Sequence, residues 1–431
     1  MDDERDEERY AEGLSEVLHR ATDRIESPGM ARAALIGARQ ARRRRGAVAV
    51  AAVAASVLAV LGGIRLIGGG TIGTAPAPAA PTPTASPTPT GAPTPSAPEP
   101  PDEPVVHPTW DPFTIVDAPL RETVLPVRLV PPEEAPAIED DPMPAAVVAW
   151  PAAGRDVMLL GEDGRWRSVP GTAEALSGTL NDVVRPVLPH GGQKVAMSTD
   201  AGILVVEVAT GARRTIPWPD ELAEWDTAPE LRWAPLGNAA GLAVLHWDAT
   251  WLVELDGTAR RAPYSRPYGT GLAFDPVGPV VEKRWEELDL RVWDGAPHVA
   301  SITSSVPFGY WGERLIFERG LVAMTGGGNG LPGDGGPMVV EAATGAVVGY
   351  APIRDRSSVY TDNGYLTALG FLDEETVLLL VGPMDFRTMD LGEEQRHLVA
   401  WDFRAGTFER LTSGDSSMSA ITVAWGVLAA G

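Results

Sequence analysis

The chain has 431 residues, 44% of them hydrophobic, with 40 prolines, 47 glycines and no cysteine, which excludes disulfides, thiolate nucleophiles, Cys-ligated zinc and iron–sulfur clusters. Its net charge of −23 is unevenly placed: residues 1–45 carry ten Arg against ten Asp and Glu, whereas 24 basic and 48 acidic residues follow Arg65. A surface of that sign repels phosphate backbones, so no nucleic acid is expected as a partner.

The first element, residues 1–45, is predicted to be a short helical cytoplasmic segment. Leu14, Val17, Leu18, Ala21 and Ile25 recur at steps of three and four and form one narrow apolar stripe. Pro28 and Gly29 break this pattern before a second helix rich in Ala and Arg. Leu14, Val17, Leu18 and Ile25 are the candidate docking face for a cytoplasmic regulatory protein, in the helix-in-groove manner. Residues 46–67 contain one charge, Arg65, and as a helix would span roughly 30 Å, enough to cross the hydrocarbon core of a bilayer. Arg42, Arg43, Arg44 and Arg45 stand immediately before it and set an N-in, C-out topology by the positive-inside rule. A cleaved signal peptide is the rival reading, because small residues follow at 75–80. Against it, both the leader and the apolar run exceed signal-peptide dimensions.

Residues 68–104 form a disordered Pro/Thr-rich linker: residues 74–104 hold 12 prolines in 31 positions and cannot bury a core. Extended polyproline II at about 3.1 Å per residue makes this segment a stalk. Its Ser and Thr beside Pro are candidate O-glycosylation sites.

From residue 105 to 431 the text changes to short Val/Ile/Leu/Trp runs broken by Gly, Pro and Asp. One phrase recurs, a strand, a Gly-bearing turn and another strand, with turn glycines Gly164, Gly211, Gly257, Gly295, Gly345 and Gly406. These lie 47, 46, 38, 50 and 61 residues apart, close to the period of four-stranded propeller blades. A second phrase precedes it, as in LRWAPLGN, LAFDPVGP and LGFLDEET, where an aromatic ends one strand ahead of a turn. Two hairpins per unit predict an all-β ectodomain, a six- or seven-bladed β-propeller. The C-terminal run from Ser419 is expected either to complete the first blade or to pair with strands drawn from residues 113–130.

Trp293-Asp294 and Trp401-Asp402 fall where WD-repeat propellers carry their name dipeptide, and the turns after Trp233 and Phe274 resemble those of Tol-system periplasmic propellers. The WD-repeat Gly-His pair is missing, and the resemblance implies a fold without a ligand. As a whole the chain is similar to actinobacterial single-pass membrane proteins with an Arg-ended cytoplasmic segment, a Pro/Thr stalk and an exported propeller. Some such proteins are linked to extracytoplasmic-function sigma factors. The resemblance therefore implies a membrane-anchored binding or sensing module in the cell membrane, with its C-terminal domain outside.

Candidate chemistry is sparse. GNGLPG at residues 328–333 has the spacing of a dinucleotide loop, but a strand rather than a helix follows. LPGDGGPMVV lacks the serine of the protease nucleophile loop it resembles. No catalytic residue, cofactor or metal site is expected: the six histidines never show metal-ligand spacing, and the adjacent acid pairs suit solvated turns. The Gly-rich loop at residues 325–337 is expected to be a connector, with Asn329 and Asp334 as candidate ligand-binding residues. Trp218 and Trp225 are expected to be exposed at the same propeller mouth, where they would stack on an envelope glycan or peptide. The alternative functions are a structural or scaffolding envelope propeller without signalling output and, less favoured, a propeller hydrolase or lyase.

The topology makes a direct prediction. The protein should stay in the membrane fraction through high-salt and carbonate washes. Protease added to wall-stripped cells should remove the large domain and leave a small protected fragment. A shortened soluble form released during growth would establish signal-peptide cleavage instead.

Overall fold

Alternation of apolar and polar residues over four to eight positions specifies strands, and the C-terminal three quarters of the chain fold accordingly. The computed structural model describes residues 104–429 except 153, 174–184, 223–227, 237–238, 247–248, 265–269, 277, 285–288, 295, 303–309, 328–334, 355–365 and 383–394. The expected cytoplasmic helix, the Arg42 to Arg45 cluster and the membrane span lie outside the described residues, as does all of the stalk but Pro104. Among the described residues no helix is long and apolar enough to cross a membrane.

Six four-stranded antiparallel sheets are present among the described residues, and they make a six-bladed β-propeller. Blade 1 contains β1 (Ala146–Ala152), β2 (Arg155–Gly161) and β3 (Trp166–Val169). Blade 2 contains β4 (Pro186–Val187), β5 (Lys194–Thr199), β6 (Gly202–Glu207) and β7 (Arg213–Ile216). Blade 3 is β8 (Glu230–Leu236), β9 (Ala239–Leu245), β10 (Thr250–Glu254) and β11 (Ala259–Arg261). Blade 4 is β12 (Thr270–Phe274), β13 (Val280–Arg284), β14 (Asp289–Asp294) and β15 (Ala296–Ser301). Blade 5 is β16 (Tyr310–Glu318), β17 (Leu321–Gly327), β18 (Gly335–Glu341) and β19 (Val347–Tyr350). Blade 6 is β20 (Leu366–Phe371), β21 (Thr376–Val381), β22 (Arg396–Asp402) and β23 (Thr407–Gly414).

The missing inner strand of blade 1 comes from the other end of the chain. β24 (Thr422–Val423) pairs antiparallel with β1, Val148 opposite Val423 and Ala149 opposite Thr422. Closure by the C-terminal run therefore holds. Residues 113–130 take a different place: they follow the outer circumference. Parallel bridges join Val106 to Tyr350 and Trp110 to Ile353 on blade 5, Leu120 to Arg410 and Arg128 to Ser413 on blade 6, and Ala137 to Ser168 on blade 1. This strap is pinned by the Trp110 indole, which stacks on Phe408 at 4.4 Å and donates from Nε1 to the Ala351 carbonyl (3.0 Å).

The core is six layers, one between each pair of neighbouring blades. Leu369, Leu380 and Leu398 of blade 6 meet Val147, Met158 and Val423 of blade 1. Equivalent clusters join blades 5 and 6, 4 and 5, 1 and 2, 2 and 3, and 3 and 4. Each fully buried Val or Leu contributes roughly 1.5–3 kcal/mol, so stability is spread around the ring.

Five of the turn glycines predicted from the repeat, Gly164, Gly211, Gly257, Gly345 and Gly406, sit between third and fourth strands, and Gly295 lies outside the described residues. At Gly211 the backbone is left-handed (φ 68°), and a Cβ would stand 2.5 Å from the Glu139 backbone of the strap. Trp293-Asp294 and Trp401-Asp402 end the third strands β14 and β22, where the repeat places them. Two boundaries differ from expectation. Trp233 does not end its strand, because β8 continues through Pro235, which faces Ala240. The Gly-rich connector is shorter than residues 325–337, since Thr325 pairs with Pro337, Gly326 with Gly336 and Gly327 with Gly335. Glycine is required at 336 because the Ala351 carbonyl occupies the space of a Cβ, at φ 133°.

Blade 6 buries a titratable group. His397 on β22 is 2% exposed, shares a 2.8 Å hydrogen bond between Nδ1 and Ser413 Oγ, and has its pKa pushed down to about 4 by burial and by the nearby Arg410 charge. The unfolded chain therefore binds this proton first. The stability held by neutral His397 is whole above pH 6.5 and is lost as pH falls toward 4, by up to about 3 kcal/mol. Urea midpoints measured from pH 7.5 to 4.5 should fall more steeply for the wild type than for His397→Gln. Parallel profiles would overturn this assignment.

Candidate functional site

Six inner strands, β24, β4, β8, β12, β16 and β20, converge on the propeller axis, and their ends define two mouths. At the mouth where these strands end, the chain closes with a short helix, α1 (Trp425–Ala429), directly after β24. Trp425 Nε1 donates to Glu318 Oε2 of blade 5 (2.9 Å), and its ring meets His190 of blade 2 edge-on at 5.7 Å. Gly426 N donates to the His190 carbonyl (3.1 Å). Gly370 of blade 6 leaves room for the indole, which a Cβ there would strike.

Glu318 is held on its other oxygen as well. Its side chain is only 7% exposed, with Oε1 3.3 Å from Arg319 Nη2 and 3.9 Å from His190 Nε2. Arg319 takes a left-handed conformation (φ 54°) and donates its backbone N–H to Asp275 Oδ2 of blade 4 (2.9 Å). A tight turn in that conformation is costly for a residue with a side chain, and the buried Asp275 carboxylate compensates for it. Side chains of blades 2 and 5 thus hold α1 across this end of the axis, with Gly370 of blade 6 making room for its indole.

Toward the opposite mouth, charged side chains stand on or beside several inner strands. Arg185 directly precedes β4, Glu230 and Arg232 lie on β8, and Arg314 lies midway along β16. Arg232 donates from Nε (2.9 Å) and Nη2 (2.7 Å) to Glu230 Oε1, and its Nη1 reaches the Leu272 carbonyl on the inner strand of blade 4. The Arg314 guanidinium is pushed down to about 10 by burial and by the Arg232 and Arg185 charges, with Glu230 opposing. Neither Arg185 nor Arg314 has an ion-pair partner among the described residues.

Of the residues singled out from sequence, Trp218 is corrected. It is 9% exposed and packs with Ile216, Leu222 and Leu231 between blades 2 and 3. Its Nε1 donates to the Thr199 carbonyl (3.0 Å), so the one polar atom that would favour exposure is satisfied inside. That bond joins a fourth-to-first connector to a second-to-third turn, which shows that these connectors share a mouth in blade 2. Trp225, Asn329 and Asp334 lie outside the described residues. Trp233 and Trp251 also pack between blades, Trp233 donating to the Val187 carbonyl (3.0 Å). Glu133, Glu134, Glu374 and Glu375 are exposed, as the solvated-turn reading holds for them. Among the described residues no group of His, Asp and Glu is arranged to hold a metal ion.

The axial charges escaped the sequence reading, although a signal was present. Arg232 in LRWAPL and Arg314 in GERLIF place charges within first strands.

No family profile matches the chain, and no curated protein matches it significantly. Solved structures with similar architecture include a chain of the nidogen/laminin complex, at 13% identity and TM-score 0.39, covering 65% of this chain and 99% of that one. The putative TolB from Agrobacterium tumefaciens is similar at 11% identity and TM-score 0.38, with coverage of 64% and 97%. The β-propeller domain of the Trilobed protease from Pyrococcus furiosus, described as having an open velcro topology, follows at 15% and 0.33, with 63% and 96%. At such identities and TM-scores these likenesses carry over no ligand, partner or activity.

The network around α1 makes a prediction. Trp425→Phe keeps the ring but removes the donor to Glu318, and should cost about 1–3 kcal/mol in chemical denaturation. Combining it with Glu318→Gln should cost less than the two single changes added together. Strict additivity would show that the indole–carboxylate bond contributes nothing.

Proposed function

We propose that the chain is a membrane-anchored extracytoplasmic binding and sensing module, whose propeller takes its ligand on the axis and whose cytoplasmic helix engages a regulatory protein. The observation that carries this reading is the six-bladed ring itself, whose inner strands surround one axis with one end held by α1 through Trp425 and Glu318. Groups brought together from separate blades serve no single sheet, and side chains from several blades meeting on an axis are how propellers build ligand sites. The anchor rests on Arg42 to Arg45 and the apolar run at 46–67, which would hold the chain in the lipid bilayer with the propeller outside the cell. An envelope glycan or peptide held by Trp218 and Trp225 loses support, because the Trp218 indole is enclosed.

Deleting residues 10–40 while keeping Arg42 to Arg45 tests the output. The shortened protein should still export its propeller but should change transcription and cell phenotype, and a peptide of residues 10–40 should retain a cytoplasmic regulatory protein in pulldown. Unchanged transcription and phenotype with normal export would leave the scaffolding function in its place.

A further inference from the structure

The rim of the propeller has two unlike sides. We propose that the strap, with the neighbouring edge of blade 4, is a lipid-docking surface that lays the propeller edge-on against the bilayer; this step rests on the membrane-anchored reading above.

Among the described residues eight large apolar side chains are exposed, from 36% to 61%, and all stand on one arc of the ring. Val105 and Val106 lie beside the outer strand of blade 5, and Leu120, Val127 and Val130 beside or just past that of blade 6. Phe113 and Val116 belong to a 3-10 turn, Pro112–Asp117, where residues three apart share a side. The other side of that turn, Pro112 and Ile115, is buried, so the turn is apolar on both. The eighth side chain, Val299, is on β15, the outer strand of blade 4. By contrast, the outer strands of blades 2 and 3 expose Arg213, Arg214, Arg260 and Arg261.

Apolar side chains gathered on one arc mark a contact surface. Three features point to lipid as what covers it. The strap patch is aliphatic apart from Phe113, with no exposed Tyr, Trp or Met, the residues that protein interfaces enrich. Pro108, Pro112, Pro119 and Pro126 remove N–H donors along the strap, which blunts its free edge against strand pairing by a peptide or a second copy. Position and charge agree with this. Residues 105–130 begin where the stalk from the apolar run at 46–67 ends. They carry Arg121 and Arg128 against Asp111, Asp117 and Glu122, a net of −1, in a chain with 24 basic and 48 acidic residues after Arg65. An arc so close to neutral meets little repulsion at a membrane surface, and charges elsewhere on the ring are screened by salt. Free in solution such a patch would hold a bilayer only weakly. The anchor supplies the second signal and confines the propeller beside the membrane, where a weak contact is occupied. The ring axis then lies along the membrane plane, and both mouths open sideways.

The chain has no cysteine, so single spin labels can be placed on the full-length protein reconstituted in phosphatidylcholine vesicles. Labels at Val116→Cys and Val127→Cys should show an oxygen-to-nickel-chelate accessibility ratio several-fold above that of a label at Arg260→Cys on blade 3. Adding Leu120→Asp and Val299→Asp should bring the Val127 label down toward the Arg260 value, with the unfolding midpoint unchanged because both side chains are exposed. Equal ratios at the strap and at Arg260 overturn lipid docking. So does dipolar coupling between strap labels on two copies, which would assign the arc to a second copy. Either result in a protein retained through carbonate washing removes lipid docking alone and leaves the anchored module intact. Extraction by carbonate would remove the anchor, and this step with it.

Discussion

A ring of sheets exists only if its last blade meets its first, and here that contact depends on the pairing of β24 with β1. Two residue pairs, Val148 with Val423 and Ala149 with Thr422, join the ends of the propeller. Without them blade 1 would have three strands and an open inner edge facing the axis. The apolar layer between blades 6 and 1, with Leu369, Leu380, Val147 and Met158, would then face water. So short a ladder cannot hold this joint alone, and it is reinforced on both sides. Inside, Thr422 Oγ1 donates to the Pro186 carbonyl (2.7 Å) and α1 is tied to blades 2 and 5. Outside, the strap crosses the same joint from blade 6 to blade 1, Leu129 N donating to the Ser413 carbonyl (2.7 Å) and Ile138 N to that of Ser168 (2.9 Å).

What could be read from sequence divides along the same line. Outer hairpins announce themselves, because a tight turn such as that at Gly211 needs left-handed backbone and the requirement recurs in five of the described blades. Third strands ending in Trp-Asp were equally visible. The inner strands were harder to bound, since β8 runs on through a proline that sequence rules assign to a turn. The strap was read only as strands drawn from residues 113–130, with no path along the rim. It joins the sheets through isolated bridges rather than a continuous ladder, so its residues show no alternation. Trp218 misled for a chemical reason: flanking prolines and acids suggested a wet surface, whereas the Thr199 carbonyl lets the indole be dry.

Arginine plays two opposite parts in this molecule. Arg167 is enclosed with a full set of partners, and the carboxyl of Asp163 is held well below the usual carboxylate range by the hydrogen bonds it accepts from that guanidinium. Arg314 is partly exposed on β16, and burial together with the Arg232 and Arg185 charges pushes its guanidinium down to about 10. The first arrangement stabilises the native state and has nothing left to offer a ligand. The second carries an electrostatic cost in the native state, set by burial and by like charges. One domain holds both because its blades separate a rim, where the strap is fastened, from the inner strands around the axis.

The path of the strap also decides how the domain bears force. A pull on the chain at residue 104 reaches Val106 first, then Trp110, then Leu120, Arg128 and Ala137, before any strand of blade 1 is loaded. These attachments lie in series along the rim, and the Trp110 indole, stacked on Phe408, is an early anchor among them. Tension would therefore peel the strap from blade 5, then blade 6, then blade 1, lengthening the tether in steps while β24 stays paired with β1. The propeller is sprung at its edge, and its axis is the last part to feel the strain.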